Sequence, residues 1–314
     1  MVRLLPPIWL CLFALVVFRA SAEDIIVSYN VENFFDSRND SLKNDEDFLP
    51  DGKNRWTFSR QERKAEQIAR VIVGIGGWDT PLVVGLCEVE NDYCIERLCH
   101  YLSGYPYSYL HYESDDRRGV DVALLYDSIS VSVAEARPLK VDLGDETTRD
   151  ILYAKMVVRS FDTLHVFMCH LPSMIGGRNT SAWKRQKAKE VISIHTDSIF
   201  ACNKDAAIIV MGDMNDYPQN DIRGVCNKMT EFEKSGKGTE KYKGHWSCLD
   251  QFYLSRVLDT IATAHIYDAS WLMEDEKKRL GTIPKRTFTG YRYHSDGYSD
   301  HLPIVLRLTL KSSR

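Results

Sequence analysis

The stretch His294-Ser-Asp-Gly-Tyr-Ser-Asp300-His301-Leu-Pro-Ile-Val-Leu-Arg-Leu308 joins a polar segment to an apolar run near the end of the chain. Asp and Gly favour tight turns, and Ile304, Val305, Leu306 and Leu308 spell a mostly buried strand. Read alone, Asp300 and His301 are turn residues. Read as the mouth of a strand, they stand where side chains converge on a substrate, and that reading requires partners from elsewhere in the chain.

Such partners recur. Residues 25–30 (Ile-Ile-Val-Ser-Tyr-Asn30) run from apolar to an amide, residues 82–88 end in Glu88, residues 166–170 end in His170, and residues 208–215 end in Asp213-Met-Asn215. Each is an ordinary strand end by itself. Five ends that supply oxygen donors and imidazoles, with almost no Ser or Cys nucleophile among them, suit hydrolysis assisted by a hard cation. Magnesium takes oxygen ligands and is held by one or two carboxylates plus a substrate phosphate, so the pattern points to phosphoester chemistry.

Between these ends the chain alternates strands and helices without repeat, low-complexity linker or evident boundary. Apolar runs predict strands at residues 25–29, 82–87, 120–126, 130–136, 151–158, 164–169, 206–211, 249–254 and 304–308. Helical spacing of Ala65, Ile68, Ala69 and Ile72, with Ser59 and Glu62 as a capping box, predicts a helix that ends at Gly74, Gly76 and Gly77. Two further helices are expected at residues 93–102 and 182–199. Strands with interposed helices predict stacked layers, two sheets packed together with helices outside.

Composition bounds the setting. Residues 1–22 read as a secretory signal: Arg3, an apolar core over residues 4–18, and Ala20-Ser21-Ala22 as the cleavage site. The remainder, residues 23–314, is expected to be a single exported domain, secreted or periplasmic, monomeric and not inserted in a membrane. Loss of Arg3 and Arg19 moves the formal charge from −4 to −6. That balance opposes broad coating of nucleic acid but allows a local basic groove. Arg117, Arg118, Arg178, Lys241 and Lys243 are the candidate phosphate contacts. Seven cysteines remain after Cys11 is removed; Cys94 with Cys99, or Cys226 with Cys248, is close enough in sequence to bridge, and no CxxC spacing suggests zinc.

The motifs taken together resemble the endonuclease/exonuclease/phosphatase superfamily, and within it the exported bacterial endonuclease-like members. They are Ser28-Tyr-Asn30-Val-Glu-Asn-Phe-Phe-Asp36, Val84-Gly-Leu-Cys-Glu88-Val-Glu-Asn91, Arg118-Gly-Val-Asp-Val-Ala-Leu-Leu-Tyr126, His170-Leu-Pro-Ser-Met-Ile-Gly-Gly177, Gly212-Asp213-Met-Asn215 and Ser299-Asp300-His301-Leu-Pro303. The resemblance covers essentially all of residues 23–314, in order. It implies an α/β four-layer sandwich, two mixed, mainly antiparallel sheets packed face to face with helices outside, and a Mg2+ (or Mn2+) dependent phosphodiesterase, most simply a nuclease.

It also implies roles. Glu88 is the principal metal carboxylate, with Asn30 and Asp300 beside the cation. His301 is the catalytic histidine, oriented by Asp250 at the start of the strand Leu249–Leu254. Asp213 and Asn215 position the attacking water and hold the phosphate, which His170 contacts. Among the candidate phosphate contacts, Arg118 and Arg178 are read as the substrate-binding residues, although the loop before Arg178 (Ser173-Met-Ile-Gly-Gly177) departs from the family pattern. Either Asp213 or the His301–Asp250 pair takes the water's proton. The runner-up activities are a phosphatase or a phospholipase C-type enzyme acting on inositol phosphates or sphingomyelin, and a catalytically silent binding module.

Overall fold

The computed structural model describes residues 23–158, 161–174, 176–276 and 281–309; the signal segment expected at residues 1–22 lies outside them. In chain order the principal strands are β1 (Glu23–Phe34), β2 (Val83–Val89), β3 (Tyr107–His111), β4 (Asp121–Asp127), β5 (Val131–Leu139), β6 (Ile151–Val158), β7 (Phe161–His170), β8 (Ala207–Asp213), β9 (Val225–Asn227), β10 (Asp250–Ser255), β11 (Ala262–Ile266) and β12 (Ile304–Thr309). The principal helices are α1 (Phe58–Gly76), α2 (Asp92–Tyr101) and α3 (Arg178–Cys202). One six-stranded sheet has the order β11-β12-β1-β2-β4-β3, the other β5-β6-β7-β8-β10-β9.

The layers follow from period-two alternation along strands that are buried on both faces. Ile26, Val83, Val122 and Leu124 of the first sheet meet Leu152, Val166, Met168, Ile209, Met211 and Phe252 of the second in a central core. The alternate residues face outward. Ile25, Val27 and Tyr29 pack on Ala65, Ile68 and Ile72 of α1 and on Cys94, Ile95 and Leu98 of α2, while Phe167, Cys169, Ile208 and Val210 pack on Ala188 and Ile192 of α3. The result is helices, sheet, sheet, helix, the four-layer sandwich expected.

Close approach of the sheets depends on Gly85, because a Cβ there would overlap Met168 Sδ and Met211 Cε. Gly85→Ala therefore forces repacking at the centre of the core, which costs about 1–3 kcal/mol. A thermal melt of the folded variant should show a midpoint several degrees lower; an unchanged midpoint would mean that the sheets have slack at this point.

Three local expectations are corrected. The Ser59–Glu62 capping box does not form: α1 starts at Phe58 behind Thr57, which makes no side-chain cap bond, and Glu62 instead receives Arg97 Nε and Nη2 from α2 at 2.7 and 2.6 Å. Neither cysteine pair bridges, since all seven thiols are free. Cys94 of α2 is buried whereas Cys99 is only partly covered, and Cys226 on β9 is exposed whereas Cys248 is buried. The loop expected over residues 233–244 contains the first strand of a hairpin, residues 240–242 pairing with 245–247.

Candidate active site

Topology gathers the polar strand ends. β1 runs parallel to β2, and β7 parallel to β8, so Asn30, Glu88, His170 and Asp213 leave their strands at one edge. β10 runs antiparallel to β8 and β12 antiparallel to β1, so these two strands begin at that same edge. Asp250 consequently pairs with Asp213 in register, and His301 stands just ahead of β12.

The backbone at this edge is bent to aim side chains. Glu32 and Asn33 (φ 55° and 53°), Glu88 (66°) and Asn215 (47°) all occupy the left-handed region, and the β1–β2 and β2–β4 registers shift beside them. Non-glycine residues in such conformations cost of order 1–3 kcal/mol and cluster at functional sites. Gly212 (φ 136°) is required for a different reason: a Cβ there would collide with the Cys169 carbonyl, where β8 passes β7.

Asp213 is the hub. Its Oδ2 accepts Asn30 Nδ2 at 3.0 Å and lies 3.6 Å from His170 Nε2 and 4.0 Å from His301 Nε2. Its Oδ1 accepts the Asn215 backbone N–H at 2.9 Å, while Asn215 Nδ2 donates to the Leu171 carbonyl at 3.0 Å and ties this loop to the end of β7. His301 Nδ1 is 2.7 Å from Asp250 Oδ2, and Asp250 is fully buried. Ser299 Oγ donates to the Asn30 carbonyl at 2.7 Å and accepts His301 N–H at 3.1 Å, fixing the last strand's mouth against β1.

Glu88 faces this cluster. Its Oε2 accepts Asn33 N–H at 2.8 Å, and its Oε1 lies 3.7 Å from Arg118 Nη2 and 3.9 Å from His170 Nε2. Asp300, half-buried, has no side-chain bond described, but its charge acts on His301, Glu32 and Lys64. Arg118 is at the rim, where Nη2 also donates to Asn33 Oδ1 at 2.8 Å. Arg178 lies farther along: its Nε donates to Asp216 Oδ1 at 2.9 Å, and its guanidinium covers the Tyr217 ring at 4.8 Å. Lys241 is buried and pairs with Glu276 at 2.9 Å.

Electrostatics follow the burial. Desolvation pushes the Asp213 carboxyl up to about 7 against the opposing pull of His301. Burial would discharge His301, yet the Asp250 charge and hydrogen bond, with Asp213 and Asp300, hold its pKa well above the ordinary histidine value. Burial, aided by Arg149, Arg118 and His301, keeps His170 neutral by pulling it well below that value. Glu88 is the reverse case: burial would raise it, but Arg118, Arg149, Asn33 N–H and His301 hold it below the usual carboxylate range.

Three participants were not assigned from sequence. Arg149, 6% exposed, lies 3.6 Å from Asp116 and places positive charge near Glu88 and His170. The signal was an Arg149-Asp150 pair at the mouth of the apolar strand β6. Glu32 and Lys64 form a buried network: Glu32 accepts Thr287 N–H (2.5 Å) and Phe288 N–H (3.1 Å), while Lys64 donates to Thr287 Oγ1 (2.5 Å) and the Tyr298 carbonyl (2.6 Å). Burial pushes Glu32 up to about 7 and Lys64 down to about 8. Lys64 and Gln61 interrupt the apolar stripe of α1, and polar residues on a buried stripe are the sign that could have exposed this network.

The site and fold define the class. Residues 25–310 match the model of the endonuclease/exonuclease/phosphatase family, and the chain belongs to that family of phosphoric ester hydrolases. Truncated Caenorhabditis elegans TDP2 is similar in structure, with a TM-score of 0.60 at 16% identity, covering 91% of this chain and 98% of that one. A Bacteroides thetaiotaomicron family member gives 0.56 at 12% identity over 92% and 98% of the two chains. D. rerio TDP2 complexed with single strand DNA product gives 0.53 at 17%, over 91% and 98%. No curated protein matches the sequence.

Proposed function

We propose that the chain is an exported, divalent-metal-dependent phosphodiesterase that cleaves nucleic acid, DNA foremost. The observation that carries this reading is Asp213 Oδ2, approached by Asn30 Nδ2 at 3.0 Å and by the Nε2 atoms of His170 and His301 at 3.6 and 4.0 Å, opposite Glu88. Asn30, Glu88 and Asp300 would hold the cation; the set offers oxygen donors only, which fits Mg2+ or Mn2+. When bound, the cation neutralises charge on the phosphoryl and leaving oxygens.

The protein's own groups divide the remaining work. Asn215, fixed by its bond to the Leu171 carbonyl, and Asp213 orient a water for in-line attack on phosphorus. Asp213 is the group placed to take its proton, while His301, oriented and held charged by Asp250, stands to donate to the phosphate. Neutral His170 presents a donor to a phosphate oxygen without adding charge. Arg118 at the rim and Arg178 beside Tyr217 extend a local basic border, which suits a polyanion despite a net formal charge of −4 for the whole sequence. The likeness to a TDP2 bound to single strand DNA product favours DNA, and the apolar leader of residues 1–22 supports export.

A panel of plasmid DNA, single-stranded DNA, RNA, bis-p-nitrophenyl phosphate, sphingomyelin and inositol phosphates, each with and without Mg2+, tests the proposal. Mg2+-dependent cleavage of nucleic acid is expected. Turnover confined to sphingomyelin or inositol phosphates would replace it with the phospholipase or phosphatase reading, and binding of DNA without turnover of any substrate would leave a binding module.

A further inference from the structure

A second group of metal-type side chains lies behind the rim of the active site. His111 ends β3, Asp121 opens β4, and Glu113 belongs to the loop between them. Their ligand atoms lie within 4.8 Å of one another. The His111 side chain is only 2% exposed, and its Nδ1 is 3.1 Å from Asp92 Oδ1 in the first turn of α2. The other ring nitrogen, Nε2, is buried and has no hydrogen-bond partner among the described residues.

This is the arrangement of a ligating histidine. A carboxylate at Nδ1 fixes the tautomer that leaves the Nε2 lone pair free, and such carboxylate–histidine pairs back most histidine metal ligands. Asp121, buried, accepts the Ser114 backbone N–H at 3.3 Å and the Ser114 hydroxyl. Glu113 is exposed at the opening. Lys43 faces the cluster from its own loop, its ammonium anchored to the Ser114 and Asp116 carbonyls at 2.6 and 3.1 Å. The charges of Asp40, Asp92 and Asp121 act on Glu113 alongside it, so negative charge predominates.

We propose that His111, Glu113 and Asp121 form a binding site for a dication of the zinc class, separate from the oxygen-only set at Glu88. An imidazole nitrogen with two carboxylates suits zinc, whereas magnesium and calcium take oxygen ligands alone. Such an ion would clip both ends of loop 113–120 together. That loop carries Arg118, which reaches Asn33 and Glu88, and Asp121 pairs in register with Val89, the neighbour of Glu88. The ion therefore acts as a structural brace behind the active-site rim, and the inference does not depend on which substrate is cleaved.

The test is zinc retention. Chelator-stripped full-length protein is dialysed against micromolar ZnCl2 in millimolar MgCl2, which occupies the oxygen-donor site. Bound zinc is then counted by mass spectrometry, and melting is compared with the zinc-free protein. One retained zinc per chain with a raised melting midpoint is expected. His111→Gln and, separately, Glu113→Gln should each weaken zinc binding at least about tenfold, while Glu88→Gln retains it. Glu113 is exposed, so its variant folds even if a change at buried His111 disturbs the sheet, and it then decides the question alone. No zinc in the wild type, full retention in Glu113→Gln, or loss of the zinc in Glu88→Gln would each overturn the proposal.

Discussion

His301→Ala should lower phosphodiester turnover by about 10²–10⁴, and adding Asp250→Ala should reduce it little further. The two side chains are one unit in the structure. Asp250 is fully buried, its Oδ2 is 2.7 Å from His301 Nδ1, and its backbone N–H is held by Thr239 Oγ1 at 3.2 Å. The carboxylate fixes which ring nitrogen faces Asp213 and favours the charged imidazolium. Without Asp250 the imidazole is neither oriented nor charged, so the single Asp250→Ala loss should approach that of His301→Ala, and groups that act together are strongly non-additive. Circular dichroism and melting establish that each variant is folded before rates are compared. If the losses simply multiply in folded protein, the pair acts independently and Asp250 is a strand-start residue that happens to touch the histidine.

Much of this site was legible because its positions are strand ends. β1, β2, β7 and β8 are buried on both faces, so each reads as a continuous apolar run, and the polar residue that ends the run marks the sheet edge. Asp250, embedded in Ser247-Cys-Leu-Asp250-Gln-Phe-Tyr, did not stand out by this rule and was assigned through the family resemblance, although it too opens a strand at the same edge. What sequence could not supply was the third dimension. Lys64 donates to Thr287 across 223 residues, and Arg149 acts on Glu88 and His170 only because β6 pairs with β7 in the sheet that packs against β2. Local motifs also lose to tertiary partners: Ser59 and Glu62 have capping-box spacing, yet Arg97 from α2 takes the Glu62 carboxylate with two bonds. The edge strands β3 and β11 escaped notice because they are half-buried and mix polar with apolar residues, Tyr107-Ser-Tyr-Leu-His111 being an example.

The central claim is that Glu88 serves a cation. Its geometry is costly to build: a glutamate at φ 66°, at a shifted register between β2 and β4, with one oxygen on Asn33 N–H. Among the described residues the Arg118 guanidinium lies 3.7 Å away and the neutral imidazole of His170 3.9 Å away, and neither makes a close hydrogen bond to it. A carboxylate so placed is suited to a hard dication arriving with the substrate phosphate. Glu88→Gln keeps the size and the Asn33 bond and removes only the charge. It should raise the Mg2+ needed for half-maximal rate by at least about 10–100-fold, the range that loss of even a supporting partner costs a metal site.

The deciding measurement is therefore the rate of phosphodiester hydrolysis as Mg2+ is titrated into chelator-treated protein, wild type beside Glu88→Gln. The account predicts no turnover before Mg2+ is added, recovery on titration, and a midpoint displaced to much higher Mg2+ in the variant. Turnover in excess chelator, or the same midpoint for both proteins, would contradict it.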